Sequence, residues 1–374
     1  MYAYAFLEDF VVLYPVYALL FAENGLSPAQ ISSLFVIWSV TGFVLEVPSG
    51  VWADLVSRRL LLAAAPLLAG TGYALWTFAP SYWSFALGFV LWGAGGSLRS
   101  GTLQALVYEE LDRRGATGRY PSLAGRAAAL GTTAVMAATA LAGPVLAVGG
   151  MRAAGLASVL VTLLGAAVGL SFPESRGDRD RSDVAGGYFA VLRDGLAQVR
   201  GGPAVRRAIV VLSATSVAGA MDEYVPLLAE ATGVSVGRVP LLVLLVSAGG
   251  MVGGWFAGRG RGALAPALVT AAVCMAAGAV GASAGRPEAL TLVAVAFGLF
   301  QWATAALEAR LQEGISDGAR ATVTSMAGVG TEVVALAVYG GYAAGSVWTG
   351  PGPLFAVAAA PYLVIALAVR RKRP

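Results

Sequence analysis

The sequence predicts an all-α membrane protein with twelve transmembrane helices in two groups of six. Composition is the first reason. Hydrophobic residues make up 57% of the 374 and charged residues 12%, against about 25% charged in a typical soluble domain. Mean hydropathy is +0.74. The second reason is the length of the apolar runs, which cluster near the ~20 residues a helix needs to cross a bilayer. They are continuous rather than alternating, so helices are expected and not the strands of a closed barrel. The third reason is the placement of charge, which collects in the connections.

The spans fall at roughly 2–22, 29–52, 60–79, 82–108, 120–148, 152–172, 207–229, 236–257, 263–283, 287–309, 320–346 and 353–369. Span one carries Glu8 and Asp9 about 10 Å inside its first end, at ~1.5 Å per residue. Phe10, Tyr14 and Tyr17 share one of its faces, and Pro15 can bend it. A tight charged hairpin, Glu46–Arg59, joins spans two and three. Span four places Trp92, Gly96, Arg99 and Leu103 at helical spacing, an aromatic, small and cationic face. Span five holds Arg126 near its start and Gly143-Pro144 near its end, with Gly149-Gly150 just beyond.

The connection 173–206 is the long one and is rich in Arg and Asp. It divides the chain into an N-terminal six-helix part, 1–172, and a C-terminal one, 207–374. Phe189, Leu192, Leu196 and Val199 recur within it at helical spacing, which predicts a short amphipathic helix on the membrane surface, a tether between the halves. Span seven carries Asp222, Glu223 and Pro226. Span ten places Gln301, Ala305 and Glu308 on one face beside Trp302. Span eleven places Glu332 with Ser325 and Gly328.

Orientation follows from counting Lys and Arg. The connections on the side of Asp54 hold 20 of the 25 and the opposite ones hold 3, with Arg99 and Arg126 inside spans. Both termini and the hairpin are therefore expected in the cytoplasm, and the protein in the cytoplasmic membrane. Met1 leads straight into a span without a small-residue cleavage site, so no cleavable signal is expected.

An ionisable residue at a helix centre costs about 2.5–3.5 kcal/mol on insertion scales, so it should pair or face water. Glu8, Asp9, Arg99 and Arg126 share a level, which predicts a cluster of two acids against two arginines, bidentate where geometry permits. The bland alternative is an ion network that only holds helices together. For the aromatic residues it is packing or an interfacial belt. In the C-terminal half Asp222, Glu223, Glu308 and Glu332 have no basic residue inside a span of their own half. Such carboxyls can carry a proton, which makes them candidates for proton coupling. Glu308 is close enough to a span end to snorkel instead.

Gly50, Asp54, Arg58 and Arg59 in the hairpin carry a family resemblance. They are similar to the loop between the second and third helices of the major facilitator superfamily, with Leu55 where a basic residue is usual and Ser57 where Gly is usual. Pro173-Glu174-Ser175 closing span six and Arg320-Ala321-Thr322 opening span eleven resemble the same family. So does a weak parallel repeat: Glu23 to Ser27 leaves span one much as Glu230 to Ser235 leaves span seven. The resemblance implies two six-helix bundles rocking about a central cavity lined by the first, fourth, seventh and tenth helices. It also implies an inter-bundle contact for Asp54, with Arg320 as the nearest cation. Gly143-Pro144 followed by two glycines resembles a motif of the family's drug–proton antiporters and leans towards export.

Absences exclude other classes. With no histidine, no His-based acid–base pair, triad or metal site is expected. There is no CxxC and no phosphate loop with its lysine. Gly258-Arg259-Gly260-Arg261-Gly262 is read as a turn between spans. Cys274 is the lone cysteine and a packing residue. The net charge of +4 is scattered over loops, so no nucleic-acid partner is expected. No enzyme, cofactor or metal is implied. The reading is a monomeric secondary transporter in the lipid bilayer, exporting a small organic compound against protons. Its rivals are an importer of a small metabolite or anion using Arg99 and Arg126, and a non-transporting receptor or scaffold on the same fold.

Overall fold

The computed structural model describes residues 1–173, 203–257, 259, 263–313 and 317–370. The expected amphipathic helix at 189–199 lies outside these residues. Among the described residues the chain is helical, without a strand, and seven helices are long and apolar enough to cross a membrane. The chain divides into two compact units, Met1–Gly186 and Gly187–Pro374.

In the first unit the expected first span is two helices, α1 (Tyr2–Asp9) and α2 (Tyr17–Glu23). Pro15 explains the interruption: it has no N–H for the Val11 carbonyl, and its ring crowds that carbonyl. Residues 10–16 close short turns instead, Tyr14 N to Val11 O and Val16 N to Leu13 O. The Leu13 N–H is buried and donates to Ser158 Oγ at 3.0 Å. Without that acceptor it would cost about 1–3 kcal/mol.

Helix α3 (Pro28–Leu55) starts at a capping box formed by Ser27 and Gln30. Ser57 caps α4 (Arg58–Phe78) by accepting from Leu60 N. The hairpin is thus a two-residue break between helices. Helix α4 meets α5 (Tyr82–Arg99) at glycines: a Cβ on Gly95 would lie 2.6 Å from Ala65 O, and one on Gly72 2.8 Å from Gly88 O. Close backbone approach of this kind is how helices associate in lipid, where no hydrophobic force separates them from solvent.

Helix α5 stops at Arg99. Gly101 adopts φ +73°, which favours glycine, and α6 (Thr102–Arg113) follows. The expected single face from Trp92 to Leu103 is therefore broken. Leu103 packs instead against Tyr4, Leu62 and Leu106. Helix α7 (Tyr120–Leu170) covers the expected spans five and six and kinks at Gly149–Gly150, where Gly150 has φ +61°. These two glycines make the turn between the spans. Helices α1 and α4 both pack on α7.

The second unit repeats the interruption. Its first span is α8 (Pro203–Thr215), α9 (Val217–Asp222) and α10 (Val225–Glu230). Pro226 cannot donate to Asp222 O, so the helix stops there. Tyr362 bridges the earlier gap: its hydroxyl accepts from Ala218 N and donates to Thr215 O, both at 2.8 Å. Then come α11 (Val239–Trp255), α12 (Leu264–Ser283), α13 (Leu290–Glu313), α14 (Asp317–Gly345), α15 (Pro351–Ala358) and α16 (Ala360–Arg370), the last containing Tyr362. Helices α11 and α12 pack on α13, and α14 packs on α8. At the α11–α13 crossing, Gly249, Gly253 and Gly298 leave no room for a Cβ against the facing backbone.

Candidate functional site

In the first unit the interrupted span runs antiparallel to α5, and their side chains meet in order. Phe21 contacts Phe85 at 4.4 Å between ring centroids, Tyr17 contacts Phe89 at 5.9 Å, and Tyr14 meets Trp92 edge-on at 5.4 Å. Glu8 and Arg99 close the series with an ion pair between Oε1 and Nε. Behind the aromatic pairs, Trp38 stacks on Trp92 at 5.2 Å, and Trp76 and Phe89 fill the interior. Tyr17 belongs to that interior, being 3% exposed. Tyr14 and Trp92 are only half-buried.

Gly96 lies on α5 between Trp92 and Arg99. A Cβ there would meet no atom within 4 Å, so the helix faces open space between the aromatic contact and the ion pair. The opposing chain at this level is the unwound segment after Asp9. Asp9 points to α7, where a Cβ on Gly131 would collide with its carboxylate.

Arg126 corrects an expectation. It is exposed, and among the described residues no ion pair forms to it. Gly131 faces α1 and Asp9; Arg126, five residues earlier at ~100° per residue, points about 140° away around α7. The cluster is two acids and one arginine. Helices α1 and α5 also both end here, and each C-terminus carries a partial negative charge of roughly half a unit. Arg99 lies in the last turn of α5, where its charge offsets that end. Its side chain retains 42% exposure and that of Glu8 23%, so the pair is reachable. The arrangement can hold a cationic or hydrogen-bond-donating group on the carboxylates and a flat apolar group on Tyr14 and Trp92.

The second unit places its residues differently. Asp222, the last residue of α9, is exposed, and Glu223 beside it is half-buried. Among the described residues no ion pair forms to Asp222. Tyr224 follows, fully buried, stacked on Tyr342 at 3.6 Å. Gln301 and Glu308 are exposed on α13, and Glu332 is half-buried on α14. Trp302 does not share the exposed face of Gln301. It is 9% exposed and donates its indole N–H to Arg259 O at 2.9 Å, so it fastens the connection after α11.

At the hairpin, Arg58 pairs with Glu109 of α6 at 2.6 Å, and Arg59 is half-buried. Ser100 donates to Glu46 at 3.0 Å across the same end of the unit. By sequence alone Glu109 falls in a loop; the signal for its helix is its place one turn before the Arg113-Arg114 pair that ends α6. The backbones of Gly50 and Asp54 lie in α3 and that of Arg320 in α14. Their side chains lie outside the described residues. Ser158 and Tyr362 carry no sequence signal, because a hydroxyl on an apolar helix shows its use only when the partner backbone is known to be unwound.

Among curated proteins, none matches the chain in sequence. Solved structures do match in fold. The nucleoside transporter NupG has a TM-score of 0.76 at 13% identity, over 99% of this chain and 98% of that one. A point mutant of NupG has a TM-score of 0.79 at 11% identity over the same shares. A bacterial homologue of the human lysosomal transporter Spinster, in an inward-facing and unoccupied conformation, has a TM-score of 0.66 at 14% identity, over 100% of this chain and 96% of that one. The model of the Major Facilitator Superfamily matches residues 2–339. The chain is a multi-pass membrane transporter rather than an enzyme, and it belongs to the Major Facilitator Superfamily.

Proposed function

We propose that the chain is a twelve-span, proton-coupled exporter of small organic compounds that bear a positive charge beside a flat apolar group. On this reading the bundles are 1–172 and 207–374, joined by 173–206, with both termini in the cytoplasm of a cell whose inner membrane holds the protein as a monomer. The observation that carries the reading is the Glu8–Arg99 pair, with Asp9 beside it and the gap at Gly96 leading to Tyr14 and Trp92. A cation entering that gap competes with Arg99 for Glu8, and the aromatic faces hold its apolar part. The candidates for the coupling proton are Asp222, Glu223, Glu308 and Glu332 in the second unit, and a proton bound there would favour one facing state. Loss of that proton would favour the other. Gly50, Asp54, Arg58, Arg59 and Arg320 are the candidate gating residues for that switch.

A second reading is uptake of a neutral nucleoside-like solute. It is favoured by the aromatic wall, which suits a heterocyclic base, and by the fold likeness to NupG. A thermal-shift screen of the purified protein separates the two, since a ligand stabilises by mass action. Flat organic cations should raise the melting temperature, and the rise should vanish in Glu8→Gln. Stabilisation by nucleosides but not by cations would overturn export of cations in favour of the second reading.

A further inference from the structure

The second unit carries an apolar groove of about 710 Å³ that the transport reading does not use. Its floor is α13 and its walls are α11 and α12, with Leu245, Val252, Phe256, Ala267, Val295 and Trp302 among its lining. It exists because Gly249, Gly253 and Gly298 draw α11 onto α13 while α12 packs on the other side of α13. Val252, Phe256 and Val295 are exposed along it. Thr291, at the end away from Phe256, is its only polar side chain besides Trp302 among the described residues, and the Trp302 N–H is already given to Arg259 O. The groove therefore offers almost nothing to a polar ligand.

Two features define an occupant. The first is length. From Leu245 to Phe256 along α11 is about 16 Å at ~1.5 Å per residue, close to half of the ~30 Å hydrocarbon core. That is the depth of one leaflet. The second is charge. Arg259 sits exposed at the Phe256 end, its guanidinium 5.6 Å from the Phe256 ring centroid and donating to Trp255 O at 3.2 Å. Trp255 beside it is 77% exposed, as expected for an aromatic residue at headgroup level. A cation held above a leaflet-deep apolar trough matches a phosphate joined to an acyl chain.

We infer that this groove binds an anionic phospholipid of the bilayer, one acyl chain lying along α13 and the phosphate on Arg259. Arg259, in a connection whose sequence lacks the acid of the hairpin in the first half, is then a lipid contact. One basic side chain at the surface supports about a fivefold preference for an anionic over a zwitterionic headgroup.

The test is native mass spectrometry of the purified full chain given equimolar dioleoyl phosphatidylglycerol and dioleoyl phosphatidylcholine. The expected result is about fivefold higher retention of phosphatidylglycerol, equalised in Arg259→Gln. Val295→Trp, which fills the trough, should lower retention of both lipids. Equal retention by the unaltered protein would overturn the inference. So would an unchanged preference in Arg259→Gln that remains monodisperse, whether or not Val295→Trp folds.

Discussion

The first spans of the two units share a construction and differ in their charge. Each is interrupted ahead of a proline, Pro15 or Pro226, and in each a hydroxyl from the closing helical segment of the same unit meets opened backbone, Ser158 at Leu13 in the first unit and Tyr362 at the earlier gap between Thr215 and Ala218 in the second. The acid pairs occupy different places. Counted back from the exit glycines Gly25 and Gly233, Glu8-Asp9 lies six residues further in than Asp222-Glu223, about 9 Å at ~1.5 Å per residue. Glu8 finds Arg99 at its level, whereas Asp222 forms no ion pair among the described residues. The interruption is thus a feature of the repeat, whereas the Glu8–Arg99 pair has, among the described residues, no counterpart at Asp222. On the proposed reading one half binds a charged group by exchange of partners, while the other takes up the coupling proton.

Removing Arg99 should disturb this comparison most. Arg99→Ala leaves two carboxylates and two helix C-termini facing one another. The expected loss is about 2–3 kcal/mol, below the ~3–5 of a fully buried pair because these side chains are partly exposed. Thermal unfolding in detergent measures it, and the double variant Glu8→Gln, Arg99→Gln should recover most of the loss. Next come the two hydroxyl bridges. Tyr362→Phe abandons both Ala218 N and Thr215 O and should cost about 2 kcal/mol, whereas Ser158→Ala abandons Leu13 N alone and should cost about 1. Equal losses would mean that the two interruptions are not held in the same way. The smallest effect on stability belongs to Gly96→Leu, which enters open space. It should leave unfolding nearly unchanged and yet abolish stabilisation by organic cations. Gly131→Leu, only on the other wall of the cluster, should lower the melting temperature more than Gly96→Leu, because its side chain must displace the Asp9 carboxylate.

Much of this arrangement was legible in the sequence, for reasons that can be stated. Apolar run length and the Gly50, Asp54, Arg58, Arg59 pattern led to the family. Rise per residue brought Glu8 and Arg99 to one level, and helical spacing joined Trp92 to Arg99. Depth alone failed for Arg126, because level says nothing about rotation around α7. Spacing alone failed for Leu103, because Gly101 turns the chain before it. Trp302, next to Gln301 in the sequence, lies on a different face of α13, where it is buried. The interruption at Pro15 was expected only as a bend. Its full extent depends on Ser158, which lies 145 residues away in the chain and is invisible to any local pattern.

The central claim is that the second half carries the proton while the first half carries the compound. Proteoliposomes with an imposed pH gradient test it most directly, using the flat organic cation that gives the largest thermal shift. The account predicts uptake of that cation driven by the gradient and lost when the gradient is collapsed. Asp222→Asn should abolish the dependence on the gradient while retaining the thermal shift, and Glu8→Gln should lose the shift itself. Cation movement that ignores the gradient in the unaltered protein, or that stays equally coupled in Asp222→Asn, would contradict it.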